Sequence, residues 1–269
     1  MTLKAVLFDA YGTLFDVHAA IARFREQAGP DADRMSEIWR AKQLEYTWTL
    51  TLAGHYVDFW RLTELALDYS LARVPSVPKA LKPNLLDAYF KLDAFPDARA
   101  ALRALKAKGH KTGILSNGSP NMLKGAVDNA GVGGDLDAVL SVDVLKMFKP
   151  RPEVYRLVTE HYRCAAGEVT FVSSNRWDVM AGVSVGFRGL WVNRSKMPDE
   201  YLDFPPKQVL ADLSVKLGLF CPNHKRKEVI FVREMLIEGS PPHHGSLAQF
   251  VDGDILELLL TEHLPKGVR

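Results

Sequence analysis

Two cysteines, Cys164 and Cys221, are all that 269 residues offer for disulfide chemistry. That is too few for a disulfide framework and suits a reducing compartment. An excess of charge is missing too: 34 Lys and Arg face 32 Asp and Glu, a formal net of +2. Such a balance draws the chain neither to nucleic acid nor to an anionic membrane surface. No apolar run reaches spanning length, and the first residues read straight into a strand rather than a signal peptide. The expected compartment is the cytoplasm, with no nucleic-acid or membrane partner. What is there is ordinary for a globular protein, 47% apolar and 25% charged residues. The length suits one large domain, or a core with a smaller insertion.

The stretch with the most chemistry comes first. Ala5 to Phe8 reads as a short buried strand that ends in Asp9-Ala10-Tyr11-Gly12-Thr13. A carboxylate at the carboxyl end of a parallel strand sits where open α/β sheets bind ligands. Gly12 permits a tight turn, and the Thr13 hydroxyl can hold the Asp9 rotamer. Asp9 is thereby a candidate nucleophile of the kind that forms an ester intermediate. The plainer alternative is a strand followed by an Asx-turn.

Beyond Asp16 the pattern is helical for about eighty residues. Asp16 can cap a helix running to Gln27, broken by Gly29-Pro30. A second helix spans Asp33 to Leu50, on which Arg40, Leu44 and Trp48 share a face. A third spans His55 to Ala72, with Phe59, Leu62, Ala66 and Tyr69 on one stripe. A short helix over Leu85 to Leu92 follows. Strands then alternate with helices: Lys111 to Ser116, Ala138 to Ser141, Val169 to Ser173 and Gly189 to Val192 are the strands. Their helices are Ala98 to Lys108, one from Ser119-Pro120 to Gly131, Glu153 to Tyr162, and Asp178 to Val185. This alternation predicts a parallel sheet with right-handed crossovers. The polar pieces Ser116-Asn117-Gly118, Lys149-Pro150 and Ser173-Ser174-Asn175-Arg176-Trp177-Asp178 then fall at the same sheet edge as Asp9.

These four pieces, in this order, resemble the haloacid dehalogenase superfamily, in the wording of its L-2-haloacid dehalogenase branch. The resemblance covers roughly residues 3 to 216, and four ordered motifs are far more specific than one. It implies an α/β fold: a doubly wound, Rossmann-like parallel-sheet core (residues 1–15 and 96–218) with an inserted all-helical cap (16–95). Relatives usually end near a helix equivalent to Val209 to Leu217. Residues 219–269 are an extension of unknown role. In it, adjacent His243 and His244 suit a polar turn better than a metal site.

The resemblance also implies roles. Asp9 attacks C2 of a small (S)-2-haloacid and expels halide. Water then opens the ester, and an (R)-2-hydroxy acid leaves. Lys149 keeps Asp9 ionised. Asp178 activates the water with help from Ser173 and Asn175, Thr13 and Tyr155 belong to the polar network, and Ser116 with the amides around Ala10 and Tyr11 binds the carboxylate. Arg40 and Asn117 receive the halide, while Tyr11, Leu44, Phe59 and Trp177 line a small dry pocket. No metal or cofactor is implied, and a homodimer is the expectation by analogy with the family.

Tyr11 and Ser174 also speak against the superfamily's phosphatases. These carry an aspartate two residues after the nucleophile and hold magnesium with a further acid where Ser174 stands here. A phenol with a pKa near ~10 replaces that aspartate poorly. Three alternatives stay open. They are a hydrolase of the same mechanism acting on another 2-substituted carboxylate such as azetidine-2-carboxylate, a phosphatase, and a non-catalytic scaffold.

Overall fold

The computed structural model describes residues 3–214. The apolar run at its start forms β1 (Ala5–Phe8), whose four residues are all buried, as in a strand covered on both faces. It pairs in parallel with β2 (Lys111–Ser116) on one side and β4 (Val169–Ser173) on the other. Beyond them lie β3 (Ala138–Ser141), β5 (Arg188–Val192) and β6 (Gln208–Leu210), giving the order β3-β2-β1-β4-β5-β6 with every pair parallel. From β1 the sheet grows to β2 and β3, then restarts on the other side at β4. A crevice therefore opens at the carboxyl ends of β1, β2 and β4, where such sheets place ligands.

The connection from β1 to β2 is helical: α1 (Ala19–Ala22), α2 (Arg25–Ala28), α3 (Ala32–Leu52), α4 (Phe59–Arg73), α5 (Lys82–Phe90) and α6 (Ala98–Ala107). Polar bonds inside the α3–α4 interface fix its register. Trp39 Nε1 donates to the Thr63 carbonyl at 2.9 Å, and Gln43 Nε2 donates to Thr63 Oγ1 at 2.9 Å. The remaining helices are α7 (Pro120–Ala130), α8 (Pro152–Tyr162) and α9 (Arg176–Ser184). Gly131 ends α7 in the left-handed region (φ 61°), the usual glycine stop. Among the described residues no helix is long and apolar enough to cross a membrane.

The structure departs from the sequence reading in four places. Asp16 caps no helix: its Oδ1 accepts from the His18 amide at 2.9 Å, a local turn that diverts the backbone, and two four-residue helices stand where one was expected. The third helix starts at Phe59 rather than His55, because Asp58 caps it by accepting from the amides of Trp60 and Arg61. On that helix Phe59, Leu62 and Ala66 are buried, but Tyr69 is 38% exposed and covers no core. Instead of a helix from Val209 there is β6, held by parallel pairing of Gln208 to Leu210 with Leu190 to Val192. The extension 219–269 lies outside the described residues.

Candidate active site

The ladder between β1 and β4 continues one residue past the strand, with the Asp9 amide donating to Val172 at 2.9 Å. The chain then curls. Amides of Thr13, Leu14 and Phe15 all donate to the Ala10 carbonyl, at 3.3, 2.9 and 3.0 Å, with Gly12 at φ 92° making the bend. The amides of Ala10 and Tyr11 reach no backbone acceptor among the described residues. Thr13 Oγ1 donates to Asp9 Oδ2 at 3.1 Å and accepts from the Ser174 amide at 2.8 Å, which ties the β1 and β4 ends together.

Asp9, 6% exposed, receives two further donors. Asn175 Nδ2 reaches Oδ2 at 2.8 Å, and Lys149 Nζ reaches Oδ1 at 3.1 Å. The same ammonium donates to Asp178 Oδ2 at 2.8 Å, and Tyr155 donates to Asp178 Oδ1 at 2.5 Å. A single buried cation thus sits between two buried carboxylates. Burial opposes the Lys149 charge, but Asp178 and Asp9 outweigh it and raise its pKa above the usual value. Burial, joined by the charge of Asp9, pushes Asp178 up to about 6 against the opposing pull of Lys149. Burial also drives the phenols of Tyr11 and Tyr155 well above 10, so both stay protonated.

Arg40 comes down from α3, donating to the Tyr11 carbonyl at 3.1 Å and, weakly, to Asn175 Oδ1 at 3.5 Å. Asn117 Oδ1 accepts from the Lys149 amide at 3.0 Å and so fixes the lysine backbone. Ser116 Oγ accepts from the Gly118 amide at 3.1 Å, and Ser173 Oγ accepts from the Asn175 amide at 3.1 Å. Over Asp9 remains a cavity of about 10 Å³, room for roughly one water. Its wall brings together Asp9, Tyr11, Arg40, Leu44, Phe59, Ser116, Asn117, Lys149, Asn175 and Trp177. Ala10, Thr13, Tyr155, Ser173 and Asp178, also expected at the site, lie behind that wall. Asp178 is 0% exposed and screened by Lys149, though each of its oxygens keeps a second acceptor position.

Three supports had escaped sequence reasoning. Tyr89 stacks on Tyr11 with ring centroids 5.8 Å apart, and its hydroxyl donates to Gln43 at 3.2 Å. Gln43 was legible as a polar residue one turn from Trp39 on the inward stripe of α3. Arg194 donates to the Thr13 carbonyl at 3.3 Å while paired with Asp97, a contact between segments with no signal in sequence.

A carboxylate gripped by a hydroxyl, an amide and an ammonium, in a nearly closed cavity at the end of a central strand, is the arrangement that a hydrolase with a nucleophilic aspartate requires. Residues 3–186 match the model of the haloacid dehalogenase-like hydrolases. (S)-2-haloacid dehalogenase 1 of Pseudomonas sp. (strain CBS-3) is 44% identical over 79% of this chain and 94% of its own. A crystal structure of a dehalogenase with an intermediate complex is 41% identical, with a TM-score of 0.80 over 82% of this chain and 99% of that one. The L-2-haloacid dehalogenase from Xanthobacter autotrophicus with chloropropionic acid covalently bound is 36% identical, with a TM-score of 0.73 over 79% of this chain and 96% of that one. The chain belongs to the haloacid dehalogenase-like hydrolases and, within them, to the L-2-haloacid dehalogenases.

Proposed function

We propose that this enzyme hydrolyses small (S)-2-haloacids to (R)-2-hydroxy acids through an ester on Asp9. Asp9 carries the reading: Oδ1 has one donor and Oδ2 has two. Oδ1 is the freer atom and attacks C2 from the face opposite the halogen, forming the C–O bond as the carbon–halogen bond breaks. Halide departs towards Arg40 and the Asn117 amide group. The substrate carboxylate is held by Ser116 and the free amides of Ala10 and Tyr11. Water then adds to the ester carbonyl carbon. The developing charge falls on Oδ2, where Thr13 and Asn175 already donate, an oxyanion hole formed before the reaction. Asp178 accepts the proton of that water, with Lys149 and Tyr155 holding it in place. Collapse of the adduct breaks the bond between the carbonyl carbon and Oδ1. Oδ1 takes that proton back as it leaves as the hydroxyl of the product. Residues 16–95 act as a cap that keeps bulk water from the ester.

In this reading no metal takes part. The position between Asp9 and Asp178 is taken by the Lys149 ammonium, and among the described residues no three His, Cys, Asp or Glu converge on a metal-sized point. Halide release from (S)-2-chloropropionate in the presence of a chelator is the direct test. Release from that enantiomer supports the reading, and amine formation from azetidine-2-carboxylate without halide release from any short 2-haloacid would replace it.

A further inference from the structure

The cavity over Asp9, at about 10 Å³, cannot admit a haloacid until a side chain moves, so a route to solvent must exist. Three larger clefts are candidates. One of about 590 Å³ lies between the start of the helical insertion, α3 and the segment after β5. Another, of about 770 Å³, opens at the start of α7. The third, of about 350 Å³, is bordered by Trp48, Leu52, Pro150 and Met180.

Shared walls separate them. Arg40, Asn175 and Trp177 line both the catalytic cavity and the 590 Å³ cleft. The 350 Å³ cleft shares Trp177 alone, and the 770 Å³ cleft shares nothing with it. Of the three common residues Arg40 alone carries a charge. It is half-buried, donates to the neutral oxygens of Tyr11 and Asn175 at 3.1 and 3.5 Å, also meets the Tyr89 hydroxyl, and forms no ion pair among the described residues. The other two arginines of that cleft are anchored: Arg176 to Asp199 at 2.7 Å and Arg194 to Asp97 at 2.7 Å. One guanidinium without an ion pair therefore lies between the closed cavity and the open cleft.

We propose that the 590 Å³ cleft is an anion antechamber: the carboxylate substrate passes through it to Asp9, and halide leaves by it, with Arg40 as the gate. The identity of the anions rests on the dehalogenase reading above; the route does not. Arg40 can exchange two bonds to neutral acceptors for a charge-assisted one to the passing anion, which is stronger. A cation at the narrow end of a cleft also concentrates anions there. Two carboxylates of the same cleft would oppose them, Asp16 at its inner wall and Glu200 exposed on its rim.

Kinetics on the whole chain test the route. Glu200→Lys should raise kcat/KM for 2-chloropropionate roughly three- to tenfold at low ionic strength, with the gain lost in about 0.5 M salt. Asp128→Lys, the matched change in the 770 Å³ cleft, should leave it unaltered. Ser195→Trp, which fills the antechamber from its rim, should lower kcat/KM at least about tenfold without moving the melting temperature. Equal responses of the two lysine variants, or wild-type kcat/KM in Ser195→Trp, would overturn the route. Bromide soaked into crystals and located by anomalous scattering reads the cleft without turnover. Bromide beside Arg40 on the antechamber side is expected even from a chain that releases no halide, which separates this proposal from the dehalogenase reading. Bromide found only in the other clefts or on surface lysines would contradict it.

Discussion

Replacing Lys149 by methionine removes the charge on which the site balances while keeping most of the stem. The ammonium lies 3.1 Å from Asp9 and 2.8 Å from Asp178, whose exposures are 6% and 0%. Even with that cation present, Asp178 titrates at about 6 rather than 3.8. Its ionisation is thus disfavoured by about 3 kcal/mol at one pKa unit per ~1.4 kcal/mol. Removing one partner of a buried pair typically costs about 3–5 kcal/mol. The sign with pH follows from the raised pKa. Stability from Asp178 is fully present below its unfolded pKa near 3.8 and is lost as pH rises through the folded value near 6. Without Lys149 the folded pKa climbs further, and the loss extends to higher pH. Against the cost of burial, Lys149 owes its raised pKa to the charges of Asp178 and Asp9. Its contribution therefore shrinks as pH falls through about 6 and Asp178 takes up its proton. Urea unfolding of wild type and Lys149→Met should therefore differ by about 3–5 kcal/mol near pH 8 and by clearly less near pH 5. A difference under about 1 kcal/mol at pH 8, or one that ignores pH, would refute the coupling of these three groups.

Other consequences follow from the same geometry. Arg40→Lys should lose most of kcat/KM with little change in melting temperature, because a point charge cannot reproduce the planar fork; wild-type turnover would return Arg40 to a surface role. If Asp178 accepts the proton of the hydrolytic water, it must be ionised, so kcat should fall as pH drops through about 6; a flat profile down to pH 5 would remove Asp178 from that step. Tyr155→Phe deletes a 2.5 Å donor whose bond lowers the Asp178 pKa, so the acid limb should move to higher pH, and an unmoved limb would mean the phenol only packs.

Much of this was written locally in the chain. Asp9, Ser116 and Ser173 stand at the ends of short apolar runs, and a strand that is apolar throughout and stops in a carboxylate declares both its burial and its edge. The cavity wall was legible for a second local reason: Arg40 and Leu44 are one helical turn apart on α3, so they face Asp9 together. What stayed hidden depends on contacts between distant segments. Nothing near Asp178 says that Lys149 and Tyr155 occupy its two oxygens, so its position behind the wall had to come from the structure. The short strand β6 lacks any pattern of its own and exists because β5 offers it an edge. Asp16 shows the opposite failure, since a residue competent to cap a helix made a tighter turn with the His18 amide instead.

In the proposed reaction Asp9 forms the bond to carbon and water never does. A single turnover of 2-chloropropionate in labelled water, with enzyme in excess, separates the two by mass analysis of the Asp9 peptide and of the product. Label is expected in the Asp9 carboxylate, together with an unlabelled hydroxy acid. Label in the hydroxy acid after that one turnover, with Asp9 unlabelled, would mean that water attacks C2 directly and would contradict it.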